Sequence, residues 1–465
     1  MNMINVRRLA MMTFLGAGML SDISAQDFSL QADTLNEARL PAQWDLQSCI
    51  DYALEQNITI RKNRVTAEST QIDVKTAKAA LFPSLSFSTS QQVVNRPYQE
   101  TSSRVSGSEI ISSNSKTSYN GNYGLNASWT IYNGSKRLKT LKQERLNNQV
   151  AELDVATSEN TIKESIAQIY IQILYAAESV RVNENTLQVS IAQRDRGQEL
   201  LNAGSIAKSD FAQLEAQVST DHYQLVTAQA TLQDYKLQLK QLLELDGENE
   251  MNVYLPKLSD ENVLAPLPAK KDVYVSALAI RPEIEASKLN VEASELGIDI
   301  AKSSYFPTIS LSAGIGTNHT SGSDFTFGEQ VKNGWNNSIG LSVSVPIFNN
   351  RQTKSAVQKA KLQRETNMLS LLDEQKALYK TIESLWLDAN SAQQRYAAAN
   401  EKLRSTQISY DLISEQFNLG MKNTVELLTE KNNLLQAQQE QLQAKYMAIL
   451  NTQLLKFYQG DKLTL

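Results

Sequence analysis

The chain has 465 residues, of which 45 are Lys or Arg and 50 are Asp or Glu, for a formal net charge of −5. That balance does not make a nucleic-acid footprint, and a mean hydropathy of −0.36 is too polar for a bundle of membrane-spanning helices. One cysteine, Cys49, and two histidines, His222 and His319, exclude an internal disulfide and a Cys- or His-rich metal site.

In chain order, Arg7 and Arg8 precede a charge-free apolar stretch from Leu9 to Leu20, and Ile23-Ser24-Ala25 ends in a small residue. This is the layout of an export signal over residues 1–25. Its apolar stretch of 12 residues is too short to span about 30 Å of hydrocarbon. Cys49 lies well past the cleavage point, so no N-terminal lipid anchor is expected.

Length alone favours about three domains, but internal repetition replaces that division with two copies of one unit. Ala53-Leu54 and Ala277-Leu278, Ala77-Lys78 and Ala301-Lys302, and Phe82-Pro83 and Phe306-Pro307 are each 224 residues apart. Further along the offset becomes 216, matching Ile131-Tyr132-Asn133 to Ile347-Phe348-Asn349 and Gly204 to Gly420. The copies run over 26–245 and 272–465, and a proline-bearing linker over 246–271 joins them.

Each copy opens on a helical pattern that ends before Pro83 or Pro307, because proline disfavours helix for the residue before it. The period then becomes 2, which predicts strands at about 84–94 and 118–132, and at about 308–317 and 336–348. Leu85, Phe87, Leu125, Ala127 and Trp129 alternate with Ser86, Ser88, Asn126 and Ser128. In the second copy Ile339, Leu341 and Val343 alternate with Ser338, Gly340 and Ser342. Ser/Gly/Asn-rich segments near 101–117 and 317–334 read as long loops.

After Asn133 and Asn349 a helical period holds for about 70 residues, roughly 105 Å of helix. In the second copy Leu378, Ile382, Leu385, Ala389, Ala392, Tyr396, Ala399, Leu403, Thr406, Tyr410, Ile413 and Phe417 are spaced alternately by 4 and 3. That is a coiled-coil seam. The first copy has the same seam from Ile162 to Val180, and then Asn183, Ser190 and Arg194 interrupt it. Gly204 and Gly420 each mark the tip of a helical hairpin.

Four two-faced strands are too few to close a barrel, which needs about eight. An exported chain of this kind must therefore pool its strands with other copies into a membrane barrel with a polar lumen. The expected fold is an α+β membrane protein, with a long coiled-coil helical part and a shared β-barrel. Tyr119, Tyr123 and Trp129 suit an aromatic girdle on the lipid face, although a soluble β-sandwich would show the same alternation.

The duplicated helix–strand–strand–helix plan resembles the TolC-type outer-membrane efflux proteins. So do the Phe-Pro strand entries, Arg281-Pro282-Glu283-Ile284, and the segments Asn202-Ala203-Gly204-Ser205 and Asn418-Leu419-Gly420-Met421. The resemblance covers essentially the whole chain after the signal. It implies a homotrimer with a 12-strand barrel in the outer membrane of a Gram-negative cell and a helical tunnel across the periplasm. It also implies a periplasmic adaptor (membrane fusion protein) and an inner-membrane pump of RND or ABC type as partners.

By the same resemblance Ala203, Gly204, Ser205, Leu419, Gly420 and Met421 form adaptor-docking tips. Glu426 stands where the family carries an acidic ring at the periplasmic gate, while Thr429 replaces a second acid. Asp210, Lys422 and Phe417 occupy the positions of an acid, a base and a tyrosine that latch neighbouring hairpins. Lysine here lacks the forked guanidinium, and Phe417 lacks a hydroxyl.

No HExxH, GxSxG or P-loop is present, so neither catalysis nor a cofactor is expected. Two function classes remain. One is a passive outer-membrane exit duct of an efflux or type I secretion system. The other is a periplasmic coiled-coil adaptor or structural protein without a pore.

Overall fold

The computed structural model describes residues 41–98, 102–106, 109–113, 116–246, 251–256, 263–321, 323 and 325–464. The expected export signal lies outside them. The first copy contains α1 (Leu46–Gln56), α2 (Ile58–Ala79), β1 (Ser84–Asn95), β2 (Ser102–Ser106), β3 (Glu109–Ser113), β4 (Thr117–Asn133), α3 (Lys136–Asn202) and α4 (Lys208–Leu242). The second contains α5 (Lys270–Ile280), α6 (Pro282–Lys302), β5 (Thr308–Thr320), α7 (Phe327–Asn333), β6 (Asn336–Ser344), α8 (Gln352–Asn418) and α9 (Thr424–Gln459).

The helices α3 and α8 have 67 residues each, so each is about 100 Å long. Among the described residues no helix is long and apolar enough to cross a membrane. Both copies break their first helix at the same offset, by different chemistry. In the first copy the Asn57 side chain accepts from the N–H groups of Thr59 at 2.9 Å and Ile60 at 3.4 Å, and donates to the Leu242 carbonyl at 3.0 Å. In the second, Pro282 opens α6, where its missing N–H costs nothing.

The strand-to-helix corners are also duplicated. Gly134 and Ser135 have φ of 67° and 62°, and Asn350 and Arg351 have φ of 49° and 65°. Two consecutive left-handed residues aim each long helix away from its strand. At Gly134 a Cβ would lie 2.7 Å from the Ser303 carbonyl oxygen, so glycine is required there for space as well as backbone angle.

The main core lies at mid-height, where α1 and the inter-copy linker wrap the long helices. Cys49, Ile60, Ile166, Ile173, Leu239, Leu243 and Val253 pack together there. Trp44 pairs in parallel with Val253, and the Trp386 indole donates to the Pro268 carbonyl at 3.0 Å. Every seam position of α8 from Leu378 to Phe417 is buried or half-buried.

The α3 seam does not stop at Val180. Asn183, Leu187, Ser190 and Gly197 continue it as buried residues. At Gly197 a Cβ would meet the Leu214 side chain at 2.3 Å, so the missing side chain admits the facing leucine.

Strands β1, β4, β5 and β6 form one antiparallel sheet in that order. Three details differ from the sequence expectation. The segment 101–117, read as a loop, contains the β2–β3 hairpin; its serine-rich composition hid the strands. Within 317–334, β5 runs on to Thr320 and α7 follows, opened by a capping box in which Thr326 and Glu329 bond each other's backbone N–H. The signal was Thr326-Phe327-Gly328-Glu329, an S/T-x-x-E start. Strand β6 ends at Ser344 rather than near 348, because Pro346 has no N–H to give a ladder.

Candidate functional site

Register, rather than composition, sets the two faces of the sheet. On one face Leu85 opposes Ala127, Phe87 opposes Leu125, Leu125 opposes Ile315, Trp129 opposes Leu311, and Leu311 opposes Leu341. On the other, Ser84 opposes Ser128, Ser86 opposes Asn126, Ser128 opposes Ser312, and Ser310 opposes Ser342. Hydroxyls and amides bond along this polar face, as between Ser84 and Ser128 at 2.8 Å and Asn122 and Ser90 at 3.2 Å. The four strands carry no Lys, Arg, Asp or Glu. Their apolar side chains are uncovered within the single chain: Phe87, Ile339, Leu341 and Val343 are all exposed.

Tyr119, Tyr123 and Trp129 share the apolar face but lie toward opposite ends of it. The Trp129 indole donates to the Leu81 carbonyl at 2.9 Å, beside the helical end. The Tyr119 hydroxyl donates to the Gln91 side chain at 2.8 Å, toward the far end. His319 sits between the two tyrosines, 5.3 Å from the Tyr119 ring and 5.9 Å from the Tyr123 ring, with Phe327 at 5.0 Å. Gly121, which opposes His319, leaves room for the imidazole; a Cβ there would lie 2.1 Å from it. The expected loop over 317–334 would have included His319, which instead lies in β5. The usable signal was its odd-numbered position, in phase with the apolar residues of β5.

At the other end of the molecule the hairpin tips are built alike. Gly204 and Gly420 have φ of +74° and +75°, and nothing lies within 4 Å of a Cβ at either. Glycine is there for the backbone angle alone. The Ser205 N–H reaches the Leu200 carbonyl at 2.8 Å and the Met421 N–H reaches the Gln416 carbonyl at 2.9 Å, each closing its helix end. Ala203 and Ser205 are exposed. Leu419 and Met421 are each 70% exposed, which gives the second tip two apolar prongs.

The residues expected at the gate divide. Lys422 donates to Glu426 at 2.6 Å, one helical turn away, and Glu426 also accepts from the Asn423 N–H at 3.3 Å. The Lys422 ammonium, with that N–H, holds the Glu426 carboxyl below the usual carboxylate range. Asp210 accepts from the Ala207 N–H at 3.3 Å and so serves the start of α4. Within one chain Lys422 therefore pairs with Glu426 and not with Asp210.

Phe417 departs from its expected role as a latch partner. It is 2% exposed and packs on Leu214 of α4 and Leu427 of α9. It joins the two hairpins of its own chain through apolar contact and does not present its ring to a gate. The 4–3 seam had already put Phe417 on the buried face of α8, and that reading, not the latch, agrees with its packing.

Known proteins resemble this chain in both sequence and fold. The family model described as outer membrane efflux protein matches residues 49–244 and 273–460, one match per copy. The outer membrane efflux protein BepC of Brucella suis is 26% identical over 63% of this chain and 61% of its own length. The outer membrane protein TolC of Escherichia coli is 24% identical over 70% of this chain and 66% of its own. The chain thus spans under two thirds of the length of each of these two relatives. A solved structure of CusC, described in terms of transmembrane channel formation, superposes with a TM-score of 0.76 at 19% identity, covering 90% of this chain and 92% of that one.

Proposed function

The chain belongs to the outer membrane efflux protein family, and from that premise we propose that it is the outer-membrane exit duct of a tripartite efflux or type I secretion system. The observation that carries this reading is the sheet. One face is apolar and uncovered, the other is lined by hydroxyls and amides, and neither bears a full charge. Such a sheet is stable when closed with copies of itself into a barrel, with lipid outside and water within. Three copies give twelve strands, while α3 and α8 continue the conduit by about 100 Å into the periplasm.

Tyr119, Tyr123 and Trp129 anchor the two membrane interfaces. The tips at Ala203, Gly204, Ser205, Leu419, Gly420 and Met421 meet a periplasmic adaptor, which couples the duct to an inner-membrane RND or ABC pump. The cargo moves passively. Glu426, with Lys422 beside it, forms a ring at the periplasmic mouth, and Asp210 faces a neighbouring subunit there. A pore-free adaptor does not account for a sheet built equally from both copies, so the duct is the reading retained.

The purified protein in a planar bilayer should give discrete conductance steps and should run as a heat-sensitive trimer on gels. A monomer without conductance would refute the duct. For the tips, Gly420→Glu should leave the trimer intact while abolishing cross-linking to the adaptor. It places a side chain at a left-handed backbone position, at a cost of about 1–2 kcal/mol. Loss of the trimer itself would show that Gly420 serves folding alone.

A further inference from the structure

The link between β5 and β6 folds back as α7 along the outer end of β5 instead of standing clear of the sheet. The Phe327 ring lies 5.0 Å from the His319 ring, and the Thr317 hydroxyl donates to the Val331 carbonyl at 2.7 Å. His319 and Thr317 are in phase with Ile315 and Leu311, so α7 lies on the apolar face of the sheet. Gln330 pins it there: its side-chain oxygen accepts from the Thr320 N–H at 2.8 Å, and its side-chain amide donates to the Phe325 carbonyl at 2.8 Å.

Register gives the height of this contact. Trp129 opposes Leu311, Tyr123 opposes Thr317, and Gly121 opposes His319. From Leu311 to His319 the strand rises about 27 Å along its own axis, which at a tilt of about 40° is about 20 Å of height. The apolar band of a membrane barrel is about 25 Å tall. With Trp129 at the inner interface, α7 therefore lies just inside the outer one.

The residues of the link suit that level. Trp335 stands one residue before β6, in phase with Ile339, Leu341 and Val343. Phe327 and Trp335 are 47% and 57% exposed. Glu329 and Lys332 are both exposed. Glu329 is engaged by the N–H and the hydroxyl of Thr326, both at 2.8 Å. The Lys332 stem can lie along apolar surface while its ammonium reaches the headgroups.

We infer that α7 is a membrane-surface helix seated in the outer leaflet, with Phe327 and Trp335 at the acyl boundary and Lys332 on the phosphate of a lipid headgroup. The inference rests on the duct reading proposed above. Lipid is the occupant because α7 extends the face that the barrel turns to the membrane. Aromatic side chains joined to a basic one also favour the boundary between headgroups and acyl chains.

It is tested by quenching of a bimane on Gly328→Cys, with the assembled trimer in vesicles of brominated phosphatidylcholine. Nothing lies within 4 Å of a Cβ at Gly328, so the label does not disturb the fold. Cys49 is fully buried, with its thiol pushed up to about 12 by burial, and takes no label. Bromines near the headgroup should lower the emission about twofold or more, and bromines near the chain ends should lower it less. The same label on Ile339→Cys, on the apolar face of β6, should be quenched by both lipids and so reports the barrel itself. In brominated phosphatidylglycerol, Lys332→Glu should weaken quenching at Gly328 about twofold, because the anionic headgroups then repel the helix. Lys332→Arg should preserve it.

If labelled Gly328→Cys yields no trimer, Asn333→Cys, exposed at the other end of α7, carries the same label. Quenching at Ile339 without quenching on α7 would overturn the inference, because the helix would then stand in water. So would an α7 label quenched most by bromines near the chain ends, or Lys332→Glu quenched as strongly as the wild type in phosphatidylglycerol. Absence of quenching at Ile339 would remove the duct reading, and this inference with it.

Discussion

Arg281 opens the Arg281-Pro282-Glu283-Ile284 motif, and its surroundings explain why arginine suits the position. Its guanidinium bonds Glu164 at 2.8 Å and lies over the Tyr458 ring at 3.6 Å, with Phe457 at 5.0 Å. One planar group thus ties the start of α6 to α3 and α9, which lysine would not do. Burial pushes the Glu164 carboxyl above the usual carboxylate range, and Arg281 opposes that rise without cancelling it. Because the folded-state value is raised, the stability linked to Glu164 is full below the ordinary value near 4.5 and is lost as pH rises through the folded value. Relative to Glu164→Gln, the wild type should therefore lose stability as pH rises above about 4.5, as read by thermal melts of the detergent-solubilised trimer. Parallel melting curves above that pH would refute the assignment. Arg281→Met strands the carboxylate and should cost about 3 kcal/mol, the low end for a broken buried pair, since Glu164 keeps some contact with water.

Among the elements, the sheet makes the sharpest claim, because neighbouring residues have opposite surroundings. Val343 opposes Ile309 on the apolar face, and Ser342 opposes Ser310 on the polar one. Val343 thus lies past the level of Trp129, at the interface. In the assembled barrel the mid-membrane pair is Leu125 and Asn126 of β4, and Leu125→Arg should cost about 2–4 kcal/mol, with Asn126→Arg far less. Equal trimer yields for the two variants would refute the orientation. These faces were legible in the sequence because a period of 2 survives in every strand. The β2–β3 hairpin was not, since serine fits loop and polar strand alike. The long helices announced themselves by their 4–3 spacing. Ser190, however, looked like an interruption of the seam, because its partners Asp221 and Lys431 lie 31 and 241 residues away. Periodicity reports which face of a helix is buried, but not what that face meets. Phe417 illustrates the same limit: the direction of its ring is set by Leu214, and Leu214 finds room because position 197 is glycine.

At the scale of the whole molecule, charge is distributed unevenly along the conduit. The four strands contribute no full charge, so the barrel imposes no electrostatic preference on what passes through it. On the duct reading proposed above, selection by charge falls to the helical part, and at its tip Glu426 and Lys422 largely cancel each other through their 2.6 Å contact. The wild-type channel should therefore be only weakly cation-selective. Removing the base exposes the acid: Lys422→Gln leaves three carboxylates around the mouth and should move the reversal potential in a potassium chloride gradient toward that of a cation-selective pore. The shift should shrink as salt rises, because the screening length falls from about 10 Å at 0.1 M to about 3 Å at 1 M. Adding Glu426→Gln to the same chain should return the potential to the wild-type value, since the acid that Lys422→Gln exposes is then gone. If Asp210 of an adjacent subunit were instead the dominant partner of Lys422, the double variant would stay cation-selective, and Asp210→Asn would be needed to neutralise it. A reversal potential unchanged by Lys422→Gln at low salt would show that neither Lys422 nor Glu426 faces the ion path.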